Sequence, residues 1–131
     1  MGNSEQTERV SPYNDEDLEY FREIILKKRE EALADLEMLS QSLKDSTENT
    51  SDESAYSFHM ADAGTDAQER EKTYMLYNRT RKFLKYLEDA LVRIDNKTYG
   101  VCKVTGKKIS KGRLEAVPHT QISIEAKLKR R

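Results

Sequence analysis

A chain of 131 residues with 36% charged residues, 36% hydrophobic residues and a mean hydropathy of -0.90 has room for one or two compact units, but not for a sheet buried on both faces. Five glycines and two prolines are too few for an all-β fold, and one cysteine, Cys102, excludes an internal disulfide. The net charge of -1 hides an asymmetry: residues 44–66 carry six acids against one base, whereas residues 97–131 carry ten bases against two acids.

Residues 1–13, polar and aperiodic, read as a flexible leader. Met1–Arg9 lack the apolar stretch of a secretory signal. No run approaches the ~18–20 apolar residues of a membrane span, so a cytoplasmic protein is expected. A first helix is signalled at Asn14, a good N-cap, with Asp15, Glu16 and Asp17 placed where the helix dipole favours anions. Leu18, Phe21, Ile25, Ala32, Leu36, Leu39 and Leu43 then form one apolar seam, interrupted at Arg29.

From about 44 to 65 the pattern breaks. Asp45, Ser46, Thr47, Asn49, Thr50, Ser51 and Asp52 favour turns, so this stretch is expected to be a connecting loop. Thr65 and Gln68 have the spacing of a capping box and open a second helix. Tyr77, Thr80, Leu84, Leu87, Leu91 and Ile94, in alternating steps of three and four, form its seam. Two helices of about 30 residues would each run ~45 Å. Neither can hide its seam alone, and an antiparallel coiled-coil hairpin over 14–97 is the simplest arrangement.

Asn96-Lys97-Thr98-Tyr99-Gly100 ends that helix, and 98–131 reads as a small separate module. A turn around Thr105-Gly106-Lys107 suggests a hairpin from Val101 to Ile109, and Ser123 can cap a final helix. A unit of ~30 residues normally needs a metal, a disulfide or a neighbour to be stable.

Tyr99-Gly100-Val101-Cys102, Gly106, Ile109, Arg113-Leu114-Glu115-Ala116, Pro118 and Ile124 resemble the C-terminal zinc-finger module of the DksA/TraR family. The preceding pair of helical seams is also similar to that family, so the resemblance covers about residues 14–129. It implies a mainly α fold, a long helical hairpin followed by a finger-like module. It also implies a transcription regulator that binds RNA polymerase directly and inserts an acidic-tipped hairpin into the secondary channel. A nucleotide effector is a further candidate partner; sequence-specific DNA contact and a membrane are not expected.

The chain departs from the family at the positions that matter most for metal. The four ligand positions hold Cys102, Thr105, Ser123 and Ala126, and neutral hydroxyls and a methyl group are poor substitutes for thiolates. The finger is therefore expected to be degenerate, with no metal and no cofactor, and to be held by Val101, Ile109, Leu114, Val117, Ile122 and Ile124. At the tip the family pattern is two acids with two residues between them, then an alanine. Here Asp62-Ala63-Gly64-Thr65-Asp66-Ala67 has three between, which makes Asp62, Asp66 and Ala67 the candidates by partial correspondence.

Lys107, Lys108, Lys111, Arg113, Lys127 and Lys129 form a second candidate contact, suited to an acidic surface. Stacking aromatics are absent after Tyr99, which disfavours single-stranded nucleic acid. Enzymatic motifs are missing: no Walker loop, nucleophile elbow or zinc-protease helix accompanies the two histidines, His59 and His119. No enzyme is expected. The residues by themselves also fit an adaptor coiled coil that docks a partner other than polymerase.

Overall fold

The first free N–H groups of a helix need acceptors, and Asn14 supplies one: its Oδ1 accepts the Asp17 N–H at 2.8 Å. In the computed structural model, which describes residues 11–50 and 63–129 and the side chains of 11–45 and 67–129, this cap opens helix α1, Asp15–Thr50. Helix α2 spans Ala63–Asp95, and two short helices follow, α3 at Lys111–Ala116 and α4 at Ile124–Lys129. The fold is mainly α. No strand lies among the described residues, and Val101 and Lys108 form only an isolated antiparallel bridge. No helix of the described residues is long and apolar enough to cross a membrane.

The chain divides into two compact units, one within Met1–Arg29 and Lys85–Arg131, the other within Glu30–Leu84. In the first, Leu18, Phe21 and Ile25 of α1 are buried, as are Leu87, Ala90 and Ile94 of α2. Each buried leucine, isoleucine or phenylalanine among them contributes roughly 1.5–3 kcal/mol relative to exposure. Two ion pairs set the register: Arg22 meets Asp95, and seven residues further along α1, Arg29 meets Glu88, seven residues back along α2, at 3.2 Å. The helices are therefore antiparallel there, and the gap in the first seam at Arg29 is where a cross-helix ion pair replaces an apolar contact. In the second unit Ala32 is buried, while Leu36, Leu39, Leu43, Tyr77, Thr80 and Leu84 are half-buried.

Several boundaries differ from the sequence expectation. Helix α1 continues through Thr50 instead of yielding to a loop at 44. Polar residues with modest helix propensity each cost a fraction of a kcal/mol, too little to stop a long helix that meets no glycine or proline. Gln41 also donates to Asp45 Oδ1 at 2.9 Å, one turn on. Helix α2 already begins at Ala63, so Thr65 lies inside it and is not its cap. Ser11–Tyr13, expected in the leader, belong to the folded unit: Ser11 N–H donates to the Lys97 carbonyl at 2.9 Å and Tyr13 is buried.

Candidate functional site

The C-terminal module is built on one turn. After α2, Lys97 and Gly100 adopt positive φ angles of 60° and 87°, which reverse the chain and lay Tyr99 into the core. The Tyr99 hydroxyl donates to the Pro118 carbonyl at 2.6 Å, and burial pushes that phenol well above its ordinary range. Ile109, Leu114, Pro118 and Ala126 are buried around it. Val101, Val117 and Ile122 are half-buried, as their expected packing role requires. Ile124 is a correction: it is 43% exposed, because Ser123 turns the chain so that Ala126, not Ile124, faces inward.

Helix α3 was not anticipated, although its signals are present. The Ser110 hydroxyl accepts the Arg113 N–H at 3.2 Å as an N-cap, and Pro118 follows two residues beyond the helix end. The expected cap at Ser123 is found: its Oγ accepts the Ala126 N–H at 3.2 Å and opens α4.

Of the four positions expected to correspond to metal ligands, Cys102 and Thr105 lie on the turn at 102–106 and Ser123 and Ala126 at the start of α4, and a bond from Ser123 to Cys102 joins the two segments. Cys102 is fully buried, and its Sγ accepts the Ser123 N–H at 3.4 Å. The Cys102 carbonyl accepts the Gly106 N–H at 2.8 Å, and the Thr105 hydroxyl accepts the Lys107 N–H at 3.2 Å. Burial alone would raise the Cys102 thiol. Hydrogen bonds from Ser123 and Thr105 outweigh it and bring the thiol down to about 6. The donor set is one thiol, two hydroxyls and a methyl group, and no cluster of three His, Cys, Asp or Glu occurs among the described residues. These residues do not fit a structural zinc ion, which requires four good ligands.

The basic candidates separate into two groups. Lys111 lies 3.8 Å from Asp17 and over the Tyr20 ring, Lys108 sits over the Tyr13 ring at 4.8 Å, and Arg113 is half-buried with Nε donating to the Ile122 carbonyl. These three hold the module against α1 and within itself. Lys107, Lys127 and Lys129 are exposed and face outward from the same module. Of the tip candidates, Asp62 lies outside the described residues, Asp66 lies on α2 without a described side chain, and Ala67 is exposed on α2.

His119 is a feature the sequence did not single out for function. Its ring stacks on Tyr86 with centroids 5.9 Å apart and planes 2° from parallel, and its carbonyl accepts from Arg93 at 3.2 Å. Burial first, then the charges of Arg93, Arg113 and Lys28, hold its pKa below the ordinary histidine range. In the folded chain His119 is thus neutral where an unfolded histidine begins to take up a proton, so the unfolded state binds more protons in that window. Stability is expected to fall as pH drops below about 6.5, the ordinary histidine value, toward the depressed folded value. Urea midpoints at pH 7.5 and at mildly acid pH should show the loss, and H119Q should reduce it. An unchanged slope in H119Q would rule out this residue as the source.

A mainly α chain with two long helices, antiparallel in the first unit, and a compact finger-like module defines a class of helical proteins. Comparison with known proteins makes the class specific. The prokaryotic dksA/traR C4-type zinc finger family matches residues 97–130. The RNA polymerase-binding transcription factor DksA of Caulobacter vibrioides is 34% identical over 113 residues, covering 86% of this chain and 75% of that protein. The DksA of Haemophilus influenzae is 27% identical over 114 residues, covering 87% and 74%. The structure of transcription factor DksA2 from Pseudomonas aeruginosa superposes with a TM-score of 0.75 at 32% identity, covering 87% of this chain and 82% of that one. The chain belongs to the DksA/TraR family.

Proposed function

We propose that this protein is a transcription regulator that binds RNA polymerase directly, places the connection between α1 and α2 in the enzyme's secondary channel, and modulates initiation without reading DNA sequence. The observation that carries the reading is that kinship to an RNA polymerase-binding transcription factor spans 86% of the chain, far more than the finger alone. Six acids against one base in residues 44–66 suit an approach to a Mg²⁺ centre, since hard oxygen ligands perturb that ion by charge. Lys107, Lys127 and Lys129 supply a second contact, to an acidic rim of the polymerase. Nothing in this scheme requires the protein to be an enzyme.

Purified core polymerase should retain the protein on a pull-down at modest salt; failure to bind would remove the proposal. D62A and D66A are expected to leave that binding within about two-fold, since rim charges and seams, not the tip, hold the complex. The same changes should abolish the effect on transcription from a responsive promoter in a purified system. Full regulatory activity in the double variant would strip Asp62 and Asp66 of the role.

A further inference from the structure

The family finger is described as C4-type, yet three of the four ligand positions here are Thr105, Ser123 and Ala126. In a zinc-held finger the ion ties the first pair of ligands to the second, and such units are unfolded without it. In this chain the same two segments are tied by other means. The Ser123 N–H donates to Cys102 Sγ at 3.4 Å, and the Lys103 N–H donates to the Gln121 carbonyl at 2.9 Å, joining the first knuckle directly to the second. Ser123 is 4% exposed and Ala126 2%, so the hydroxyl that caps α4 and the methyl group that follows it are both buried. Below them Tyr99, Ile109 and Leu114 are fully buried, and Tyr13 of the N-terminal segment donates its hydroxyl to the Ile109 carbonyl at 2.5 Å.

We infer that the finger is a metal-independent module in which Cys102 serves as a buried hydrogen-bond acceptor, and that the backbone still holds the four ligand positions close enough for three substitutions to restore a zinc site. A sulfur that accepts an N–H bond and contacts a capping turn has a structural use without any ion. The retained backbone follows from main-chain bonds that the three substitutions leave in place: Cys102 N–H to the Lys107 carbonyl at 2.8 Å, Gly106 N–H to the Cys102 carbonyl at 2.8 Å and Lys127 N–H to the Ser123 carbonyl at 2.9 Å. This inference does not depend on polymerase binding and would stand if that reading failed.

The full-length chain, purified without chelator, is to be analysed for metal and melted with and without EDTA. Less than about 0.1 zinc per chain and an unchanged Tm are expected. One zinc per chain, or a fall in Tm of about 10 °C or more on chelation, the scale for losing a tightly held structural ion, overturns the inference. The variant T105C/S123C/A126C, titrated with Co²⁺ and Zn²⁺, should take up one ion per chain, with tetrahedral d–d bands and thiolate charge transfer, and gain thermal stability. Should it remain folded yet bind no metal, the four positions do not converge and that half of the inference is wrong. Should it unfold, C102S decides the matter alone: a metal-independent finger keeps its cooperative melt with a small loss, whereas collapse of the module would mean that sulfur holds an ion.

Discussion

Tyr13→Ala is expected to remove about 3–5 kcal/mol of folding stability, the range for deleting a large aromatic side chain from a packed core. The residue lies before the first helix in a stretch that reads as leader, yet it is 4% exposed. Its ring meets Phe21 edge-on at 5.3 Å, and Phe21 in turn packs on Tyr99 at 5.4 Å, so one aromatic chain links the N-terminal segment, α1 and the module. Lys108 covers its outer face at 4.8 Å. Losing all of this matters in a chain of this size, because total stability is only about 5–15 kcal/mol. Y13F isolates the hydroxyl: it strands the buried Ile109 carbonyl and should cost about 1–3 kcal/mol. Urea denaturation of both variants provides the measurement, and a Y13A midpoint equal to wild type would show that the segment is not part of the core.

Gly100→Ala should be nearly as damaging for a different reason. Gly100 sits at φ +87°, and a Cβ there would lie 2.7 Å from Tyr13 Cδ2 and 2.8 Å from Cε2. The left-handed backbone costs an alanine about 1–2 kcal/mol, and forcing the ring aside adds about 1–3 kcal/mol. The two positions must therefore couple. In G100A/Y13A the new methyl enters space the ring has left, and the double variant should be about 1–3 kcal/mol more stable than the sum of the singles predicts. Gly106 is the control. It has φ +73° with open space around it, so G106A should show the backbone cost alone, about 1–2 kcal/mol. Additivity between G100A and Y13A would mean that the close approach is relieved elsewhere.

Much of the fold was legible because helices announce themselves by period. The seams at Leu18, Phe21 and Ile25 and at Leu87 and Ile94 are the buried ones, and Asn14 and Ser123 cap as their chemistry suggests. Helix ends were less legible. Asp45 to Thr50 favour turns one by one, but a helix already nucleated extends through weak residues at little cost. Tyr13 was missed because its partners, Phe21 apart, lie far along the chain. No local pattern distinguishes a tyrosine in a leader from one that plugs a core. The module's identity was legible from spacing, since glycines, Pro118 and Leu114 occupy set positions in a tight turn-rich unit. The split of its basic residues was not, because only the fold shows that Lys108 and Lys111 are occupied with Tyr13, Tyr20 and Asp17.

The bond from the Tyr13 hydroxyl to Ile109 joins residues 96 apart in sequence, and Tyr20 bonds Glu115 across 95. Synthesis adds residues at about 5–20 per second, so on the order of 5–20 s separates the making of these partners. Throughout that interval the ribosome holds a nascent chain whose first amphipathic stretch has no lid, with Leu18 and Phe21 open to chaperones or to other newly made chains. The segment around Tyr13 is thus made well before the partners that complete its packing, and its maturation waits on synthesis of the module.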